Sequence, residues 1–348
     1  MIESKSSKFA TYSVFLFSLG VVGISIISVI FPALIISSTY EYPLDLNPFE
    51  TSPWFFPICI STTLLLMFGF LHYKKKFPTY VSRILDFILN FEISKRIAII
   101  TGLIIISVYI GFSLPELFID ENEQWPDYKV LDTALEIWPS TDHFSVYIKE
   151  QNTRYVRMIL LDFSQEFLQN IKLLPFLASV SSVILTALIT IEISKKRLAG
   201  IIAIIVLLTS VTFTDFDTIA VYENFWVLFY LISLYAITKK WWYASPVSFI
   251  LSIFTKAFIA TYFWMNLFFI YRANIPKKTK LFLFGSYGVV FGITYWIFEN
   301  GRSIIYDDII RYDFNAFLDG FTAWGNSMQL DPFILLSILP LIVALFFK

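Results

Sequence analysis

Carboxylates are crowded into residues 116–170, the one long polar segment of an otherwise apolar chain. Asp120, Glu121 and Asp127 follow directly after an apolar run, close to Trp125, a residue type that favours membrane surfaces. A carboxylate that is ionised near neutral pH can remove the proton from a hydroxyl group that is to act as a nucleophile. A solvated acidic loop would explain most of these side chains. A general base among them is the hypothesis that gives the cluster a chemical role.

Further charged residues lie in or beside apolar runs later in the chain. Glu223 and Lys256 fall within such runs, where an ionisable group is a functional candidate by default. Asp215 and Asp217 stand just before the run that contains Glu223. The structural alternatives are that the two aspartates cap the next helix and that Lys256 extends to the membrane surface. Arg302, in a later polar loop, is a fifth candidate.

Lys256 and an acidic base together suggest one kind of chemistry. A phosphate whose lipid tail lies in a bilayer must sit near the interface, where the Lys256 ammonium would oppose its charge. A base that acts from the face opposite the leaving phosphate would invert the anomeric carbon of a sugar, by analogy with inverting glycosidases. These residues therefore favour transfer of a lipid-linked sugar.

Composition limits the classes of protein to which the chain can belong. It is 57% hydrophobic and 19% aromatic, and its apolar residues form blocks of about bilayer length, which indicates an all-α polytopic membrane protein. The single Cys59 excludes a disulfide framework, and with only His72 and His143 a zinc site is disfavoured. The net charge of -1 and the scattered basic clusters give no sign of nucleic-acid binding.

Ten membrane segments are predicted, including a broken hairpin, with both termini cytoplasmic because basic clusters mark the inner side. The segments are about 12–36, 54–72, 97–118, 173–193, 198–213, 219–237, the two halves of 241–271, 281–298 and 333–347. A surface helix is expected on the inner side at 77–96, and another on the outer side, where an apolar stripe recurs every four residues from Tyr155 to Ile171.

Four parts follow from these segments. They are an N-terminal hairpin at 1–76, a linker helix at 77–96, a core at 97–298 with its outer loop at 116–170, and a second outer loop with the final segment at 299–348.

The broken hairpin rests on a count of residues between two basic clusters. Trp241 to Tyr271 has 31 residues, whereas two full spans need about 40. Two short helices that meet at Thr255 and Lys256 resolve this and place the ammonium near the outer surface. A single span is the alternative, and it would hold Lys256 near the bilayer centre at a cost of roughly 2.5–3.5 kcal/mol.

Four sequence blocks resemble the GT-C superfamily of polyprenyl-phosphate-dependent glycosyltransferases, which includes protein O-mannosyltransferases and lipid A aminoarabinose transferases. The blocks are Leu173–Val180, Lys195–Ala203, Ala220–Glu223 and Leu251–Lys256. They follow a large outer loop in the order that the family has, and the resemblance covers roughly 97–298. It implies a core of seven membrane segments and an active site on the extracytoplasmic face of the cell membrane.

The resemblance also implies where the base lies. The family has an acidic residue in the first outer loop, often as an Asp-Glu pair followed by a helix with an aromatic and a small residue. Asp127, followed by Ala134 and Trp138, best matches this position, and Asp120 with Glu121 reproduces the pair further upstream. Asp127 is therefore the predicted base, with Asp120 and Glu121 as its rivals.

The remaining site residues receive roles in the same hypothesis. Lys256, where the family has a lysine near the donor phosphate, would hold that phosphate together with Arg302. Glu223 matches a second acid near the family's active site, and with Asp215 and Asp217 it would position the sugar or the acceptor. Asp215 and Asp217 also resemble the metal-binding acid pairs of the oligosaccharyltransferase branch, so a divalent ion is a candidate cofactor.

The predicted partners are a polyprenyl-phosphate-linked sugar, the lipid bilayer and an acceptor that is a protein, lipid or glycan. Two features depart from the family pattern: an N-terminal hairpin precedes the large loop, and the chain ends soon after the core. The early end suits a minimal member, a truncated one or one that relies on a membrane protein partner, and it also motivates the alternative of a non-catalytic membrane scaffold. A transporter is less favoured, because the charged residues gather at one face rather than along a midplane path.

Overall fold

The computed structural model describes residues 5–34, 47–120, 127–137, 155–300 and 314–346, and all regular structure in these ranges is helical. The α-helices are α1 Lys5–Ile30, α2 Phe55–Tyr73, α3 Thr79–Asn90, α4 Lys95–Ser113, α5 Tyr128–Ile137, α6 Tyr155–Leu168, α7 Leu173–Ser194, α8 Arg197–Leu208, α9 Val211–Asp215, α10 Phe225–Thr238, α11 Ala244–Ile253, α12 Phe263–Arg272, α13 Lys277–Asn300, α14 Phe314–Leu330 and α15 Pro332–Phe346. Two 3₁₀ helices are also present. Leu114–Phe118 continues α4, and Ala257–Tyr262 precedes α12. The all-α prediction is confirmed for the described residues.

Four described helices are long and apolar enough to cross a membrane: 11–30, 55–73, 95–118 and 173–194. A fifth is obtained if 320–330 and 332–343, which meet at a bend of 114°, count as one span. Three shorter apolar helices, α8, α10 and α11, accompany them. Length and composition are therefore compatible with an integral membrane protein, and the count of ten segments stays a prediction.

The chain forms two compact units, one made of 1–91 with 310–348 and the other of 92–309. In the first unit α1 packs against α14 and α15, and α2 packs against α15. Gly325 of α14 lies so close to Ser28 of α1 that a Cβ would not fit, and the Ser28 hydroxyl donates a hydrogen bond to the Phe321 carbonyl at 3.2 Å. The N-terminal hairpin thus packs with the last segments of the chain.

Residues 299–331 were predicted to be a second outer loop. A helix, α14, occupies 314–330, and its place relative to a membrane stays a prediction. Its apolar residues recur at helical spacing, and Met328 is buried with Val29 and Leu335 in the core of the unit. The polar residues between them hid this pattern, because the tertiary contact with α1 is what gives the helix a buried side.

The second unit is arranged around α7, which packs against α8 and α10. Helix α10 packs in turn against α11, and α13 packs against α11 and α12. Apolar side chains that include Phe176, Phe225 and Phe249 fill its cores. The amphipathic helix α6 buries Met158 and Leu161 in this unit.

The opposite face of α6 exposes the predicted stripe of Ile159, Phe163 and Phe167. The rings of Phe163 and Phe167 stack with their centroids 4.8 Å apart. The exposure of an apolar stripe agrees with the predicted surface helix, and its contact with a membrane remains a prediction.

The predicted break at Thr255 and Lys256 is confirmed. Helix α11 ends at Ile253, and Lys256 is extended, with φ −149° and ψ 109°, before the 3₁₀ helix begins. The Thr255 hydroxyl donates to the Leu251 carbonyl at 2.8 Å, and the Lys256 amide donates to the Ser252 carbonyl at 3.1 Å. These bonds satisfy the last carbonyls of α11 as the chain turns away.

Several predicted ends need correction. The run 219–237 is helical only from Phe225, so Glu223 precedes the helix rather than lying one turn inside it. The run 198–213 divides into α8 and α9, because the Ser210 side chain accepts a hydrogen bond from the Phe213 amide and starts a new helix. Helix α1 ends at Ile30, earlier than the predicted residue 36.

Candidate functional site

A cavity of about 280 Å³ lies in the second unit, between α5, α6, the segment 219–224 and the turn after α11. Three of the predicted site residues line it: Asp127, Glu223 and Lys256. They come from separate stretches of the chain, and Arg157 and Tyr222 join them in the lining. The fold therefore assembles five chemically active side chains around one small space, which is called the reaction cavity below.

Asp127 lies at the rim of the reaction cavity, immediately before α5. Its backbone carbonyl accepts hydrogen bonds from the amides of Val130 and Leu131 at 3.2 and 3.3 Å, so its main chain forms the start of this helix. The Tyr222 hydroxyl donates a hydrogen bond to Asp127 Oδ2 at 3.0 Å. The Tyr222 ring packs edge-on against Phe216 with the centroids 5.4 Å apart, which orients the hydroxyl.

The same hydrogen bond affects the acidity of Tyr222. The bond to the Asp127 carboxylate raises the pKa of the Tyr222 hydroxyl, with burial as the second cause. Tyr222 therefore stays protonated over the physiological range and keeps its role as hydrogen-bond donor.

A buried ion pair is part of the lining of the reaction cavity. Arg157 Nε lies 3.0 Å from Glu223 Oε2, and the two side chains are only 11% and 4% exposed. The N–H of Nε does not point along this line, so the contact is an ion pair without a well-aligned hydrogen bond. Neither charge is left uncompensated in this buried position.

Arg157 also holds the segment that carries Tyr222. Its Nη2 donates to the Val221 carbonyl at 2.6 Å and to the Ala220 carbonyl at 3.4 Å. These carbonyls are thereby used outside a helix, which explains why α10 begins only at Phe225. One guanidinium thus positions both Glu223 and the neighbouring tyrosine.

Lys256 lies at the exposed end of the reaction cavity. Its ammonium is 5.6 Å from the ring centroids of both Trp226 and Phe258, within the range of a cation–π interaction. The Val156 amide of α6 donates to the Phe254 carbonyl at 3.2 Å and so joins the first turn of α6 to the turn that ends in Lys256. This bond therefore holds Arg157 of α6 and Lys256 of the turn after α11 beside the same cavity.

Asp217 is placed elsewhere, in a buried polar cluster made of Ser113, Ser179, Asp217 and Asn224. The Ser113 hydroxyl donates to Asp217 Oδ2 at 2.8 Å, and the Ser179 hydroxyl donates to the Asp217 carbonyl at 2.7 Å. Asn224 Nδ2 donates to Ser179 Oγ at 2.9 Å and closes the network. This group is called the Asp217 cluster below, and it does not line the reaction cavity.

Burial controls the ionisation of Asp217, whose side chain has no exposed surface. Burial raises the pKa of the Asp217 carboxyl to about 6, although the hydroxyls of Tyr109 and then Ser113 act in the opposite direction. Oδ1 makes no hydrogen bond of good geometry among the described residues, although the Tyr109 hydroxyl lies close to the carboxylate. The protonated carboxyl is therefore more favoured at this buried position than it is for an aspartate in water.

Two more of the predicted site residues lie in the described ranges but not at the reaction cavity. Asp215, at the end of α9, and Asp120, after the 3₁₀ continuation of α4, are exposed and do not line it. Glu121 and Arg302 lie outside the described residues. In the described ranges no three His, Cys, Asp or Glu side chains are grouped to hold a metal ion, so the divalent ion stays a prediction.

Sequence reasoning missed Arg157 and Tyr222. Arg157 stands in the apolar run 155–161, and a cation within the buried side of an amphipathic helix is the signal that could have identified it. For Tyr222 the only signal in the sequence is its position beside Glu223. A tyrosine is as suitable for packing as for hydrogen bonding, so its residue type does not indicate a role.

Comparison of the chain with protein-family models, with curated proteins and with solved structures gives no match.

Proposed function

We propose that this chain is an inverting glycosyltransferase that moves a sugar from a polyprenyl-phosphate donor to an acceptor hydroxyl on the extracytoplasmic side of a membrane. The observation that carries the proposal is the convergence of Asp127, Glu223 and Lys256 on the reaction cavity. An acid held by a hydrogen bond and an ammonium at the exposed end supply the two charges that such a transfer requires. The small volume suits a monosaccharide head group rather than a long glycan.

The transfer uses these residues in one displacement. Asp127 takes the proton from the acceptor hydroxyl as its oxygen attacks the anomeric carbon, and the bond from that carbon to the phosphate oxygen breaks. The polyprenyl phosphate leaves as an anion, and the Lys256 ammonium offsets its charge. The Tyr222 hydroxyl holds the Asp127 carboxylate in place through its bond to Oδ2.

Arg157 and Glu223 give the reaction cavity its rigidity. Their ion pair and the two carbonyl contacts of Arg157 fix the segment that bears Tyr222. A carboxylate in this position can also accept hydrogen bonds from sugar hydroxyls, so Glu223 is assigned to sugar positioning. Arg302, which the hypothesis pairs with Lys256 in holding the donor phosphate, lies outside the described ranges.

The test is a transfer assay with the purified full-length chain. Synthetic polyprenyl-phosphate monosaccharides labelled in the sugar are incubated with the protein and a membrane extract as the acceptor source. Asp127→Asn should lower transfer by about 10²–10⁴-fold, because a neutral amide cannot accept the proton. Asp132→Asn is the matched control on α5, since Asp132 does not line the cavity. Full transfer by Asp127→Asn would remove the base assignment.

Two further readouts decide between the alternatives. Nuclear magnetic resonance of the product should show inversion at the anomeric carbon, and a retained configuration would overturn the single displacement. Absence of transfer with every donor, together with a stoichiometric partner that co-purifies, would instead establish the membrane scaffold.

The sidedness is tested by labelling. A Lys256→Cys variant in a Cys59→Ser background should react with an impermeant maleimide from the extracytoplasmic side, because Cys59 is the only native cysteine. Reaction from the cytoplasmic side alone would reject the proposed topology.

A further inference from the structure

An apolar groove of about 530 Å³ lies between α11 and α13, separate from the reaction cavity. Pro246, Val247 and Ile250 form one wall and Leu281, Gly285 and Val289 form the other. Their spacings of three, four and eight residues place each set on one face of its helix. Val247, Leu281 and Val289 are 55%, 74% and 62% exposed, so the groove is open along its side.

One end of this groove is strongly basic. Lys277 and Lys278 begin α13, one turn before Leu281, and both side chains are exposed. The first turn of α13 contains no acidic residue, although a helix N-terminus favours anions and disfavours cations. Two ammonium groups therefore add to the positive end of the helix dipole at the mouth of an apolar groove.

Aromatic side chains mark the same end of the groove. Tyr243, just before α11, is 76% exposed, and its ring packs edge-on against Phe282 with the centroids 5.4 Å apart. Trp241 is 57% exposed nearby in the chain. Tyrosine and tryptophan in such positions are typical of the level of lipid head groups. The groove thus passes from an interfacial, cationic mouth to a purely apolar interior.

We propose that this groove binds an anionic glycerophospholipid, with an acyl chain between α11 and α13 and the phosphate against Lys277 and Lys278. Basic pockets between membrane helices are known to select anionic head groups. From Leu281 to Val290 the α13 wall is about 14 Å long, enough for much of one acyl chain. The proposal is independent of the glycosyltransferase reaction.

Gly285 provides a direct test, because a Cβ added there meets open space. Gly285→Leu should fill the groove without displacing protein atoms. Gly288→Leu is the matched control: it makes the same change on the same helix, its Cβ also meets open space, and it does not line the groove. Lys277→Gln/Lys278→Gln tests the mouth and leaves the apolar walls unchanged.

The measurement is native mass spectrometry of the full-length chain in detergent, titrated with dioleoyl phosphatidylglycerol or dioleoyl phosphatidylcholine. Wild type should retain one phosphatidylglycerol in preference to phosphatidylcholine, Gly285→Leu should lose this retention at least tenfold, and Gly288→Leu should behave as wild type. The double lysine variant should bind phosphatidylglycerol on the order of 20-fold more weakly and phosphatidylcholine unchanged.

Other outcomes would overturn the assignment. Equal retention of the two lipids by wild type would exclude recognition of the anionic head group. Unchanged retention by Gly285→Leu would show that the groove is not the site. Displacement of phosphatidylglycerol by polyprenyl phosphate, with a raised donor KM in Gly285→Leu, would assign the groove to the donor tail instead.

Discussion

Two buried carboxylates, Glu223 and Asp217, stand on the same short connection between α9 and α10 and have opposite environments. Glu223, 3% exposed, is paired with the Arg157 guanidinium. Asp217, with no exposed surface, accepts a hydrogen bond from Ser113 and has no ion pair among the described residues. The first carboxylate lines the reaction cavity and the second is enclosed in the Asp217 cluster.

The difference shows how a fold separates acids that the sequence places together. A carboxylate that is buried with a cation can carry charge at the edge of a cavity, whereas one that is buried without a cation favours its protonated form. The first arrangement is suited to binding polar groups of a substrate. The second connects α4, α7 and the segment before α10, so its expected effects are on stability.

The largest expected effect comes from removing the cation of the Glu223 pair. Arg157→Met should lower the free energy of unfolding by about 3–5 kcal/mol, because Glu223 is left buried and unpaired. The change is measured by thermal unfolding in one detergent. Arg157→Met/Glu223→Gln should recover much of the loss, and Glu166→Gln on the exposed face of α6 serves as the neutral control. If Arg157→Met were as stable as wild type, the ion pair of Arg157 and Glu223 would be contradicted.

Asp217→Asn should change how stability depends on pH. The folded pKa of about 6 lies above the reference value of 3.8, so the protonated carboxyl stabilises the fold below about pH 4, and this contribution disappears as the pH rises through 6. An asparagine cannot ionise. Between pH 4 and 7 the variant should therefore gain on the order of 2 kcal/mol relative to wild type. If the free energy of unfolding changed with pH equally in Asp217→Asn and wild type, Asp217 would not titrate in the folded protein as expected.

Lys256→Ala should weaken binding of the proposed polyprenyl-phosphate donor about tenfold, because the phosphate would lose one opposing charge. Binding is followed by quenching with a labelled donor. Lys256→Arg keeps the charge above Trp226 and Phe258 and should retain most of the affinity. If donor affinity were the same in Lys256→Ala and wild type, the lysine would not belong to the site.

The smallest effect is expected for Tyr222→Phe, which removes only the hydroxyl that contacts Asp127. The turnover number should fall about two- to tenfold, because one exposed hydrogen bond is lost, while donor affinity stays unchanged. A purely structural tyrosine would lower the melting temperature and leave the turnover number unaltered. The pair of readouts therefore distinguishes a positioning residue from a packing residue.

Apolar block length was sufficient to predict helices such as α2, α4 and α7, since each is long, apolar and bounded by polar residues. The break at Thr255 and Lys256 followed from counting residues between basic clusters. The non-helical segment 219–224 could not be predicted, because its carbonyls are held by Arg157 from a distant helix. Local apolar periodicity continues through that segment, and a tertiary contact overrides it.

The candidate site was predicted only in part. Asp127, Glu223 and Lys256 line one cavity, as the hypothesis of a shared site requires. Asp215 and Asp217 do not line it. Charge type and order along the chain indicate which residues are candidates. Charge type and order do not indicate whether a side chain will contact a cation, a serine or solvent, because these contacts depend on which helix packs against it.

The ion pair of Arg157 and Glu223 also imposes an order on biosynthesis. Arg157 leaves the ribosome about 66 residues before Glu223, an interval of roughly 3–13 seconds at ordinary elongation rates. Until then its guanidinium lacks the carboxylate partner that it has in the folded structure. Lys256 is the last of the cavity-lining residues to be synthesised, so the lining of the cavity is incomplete until that residue has been added.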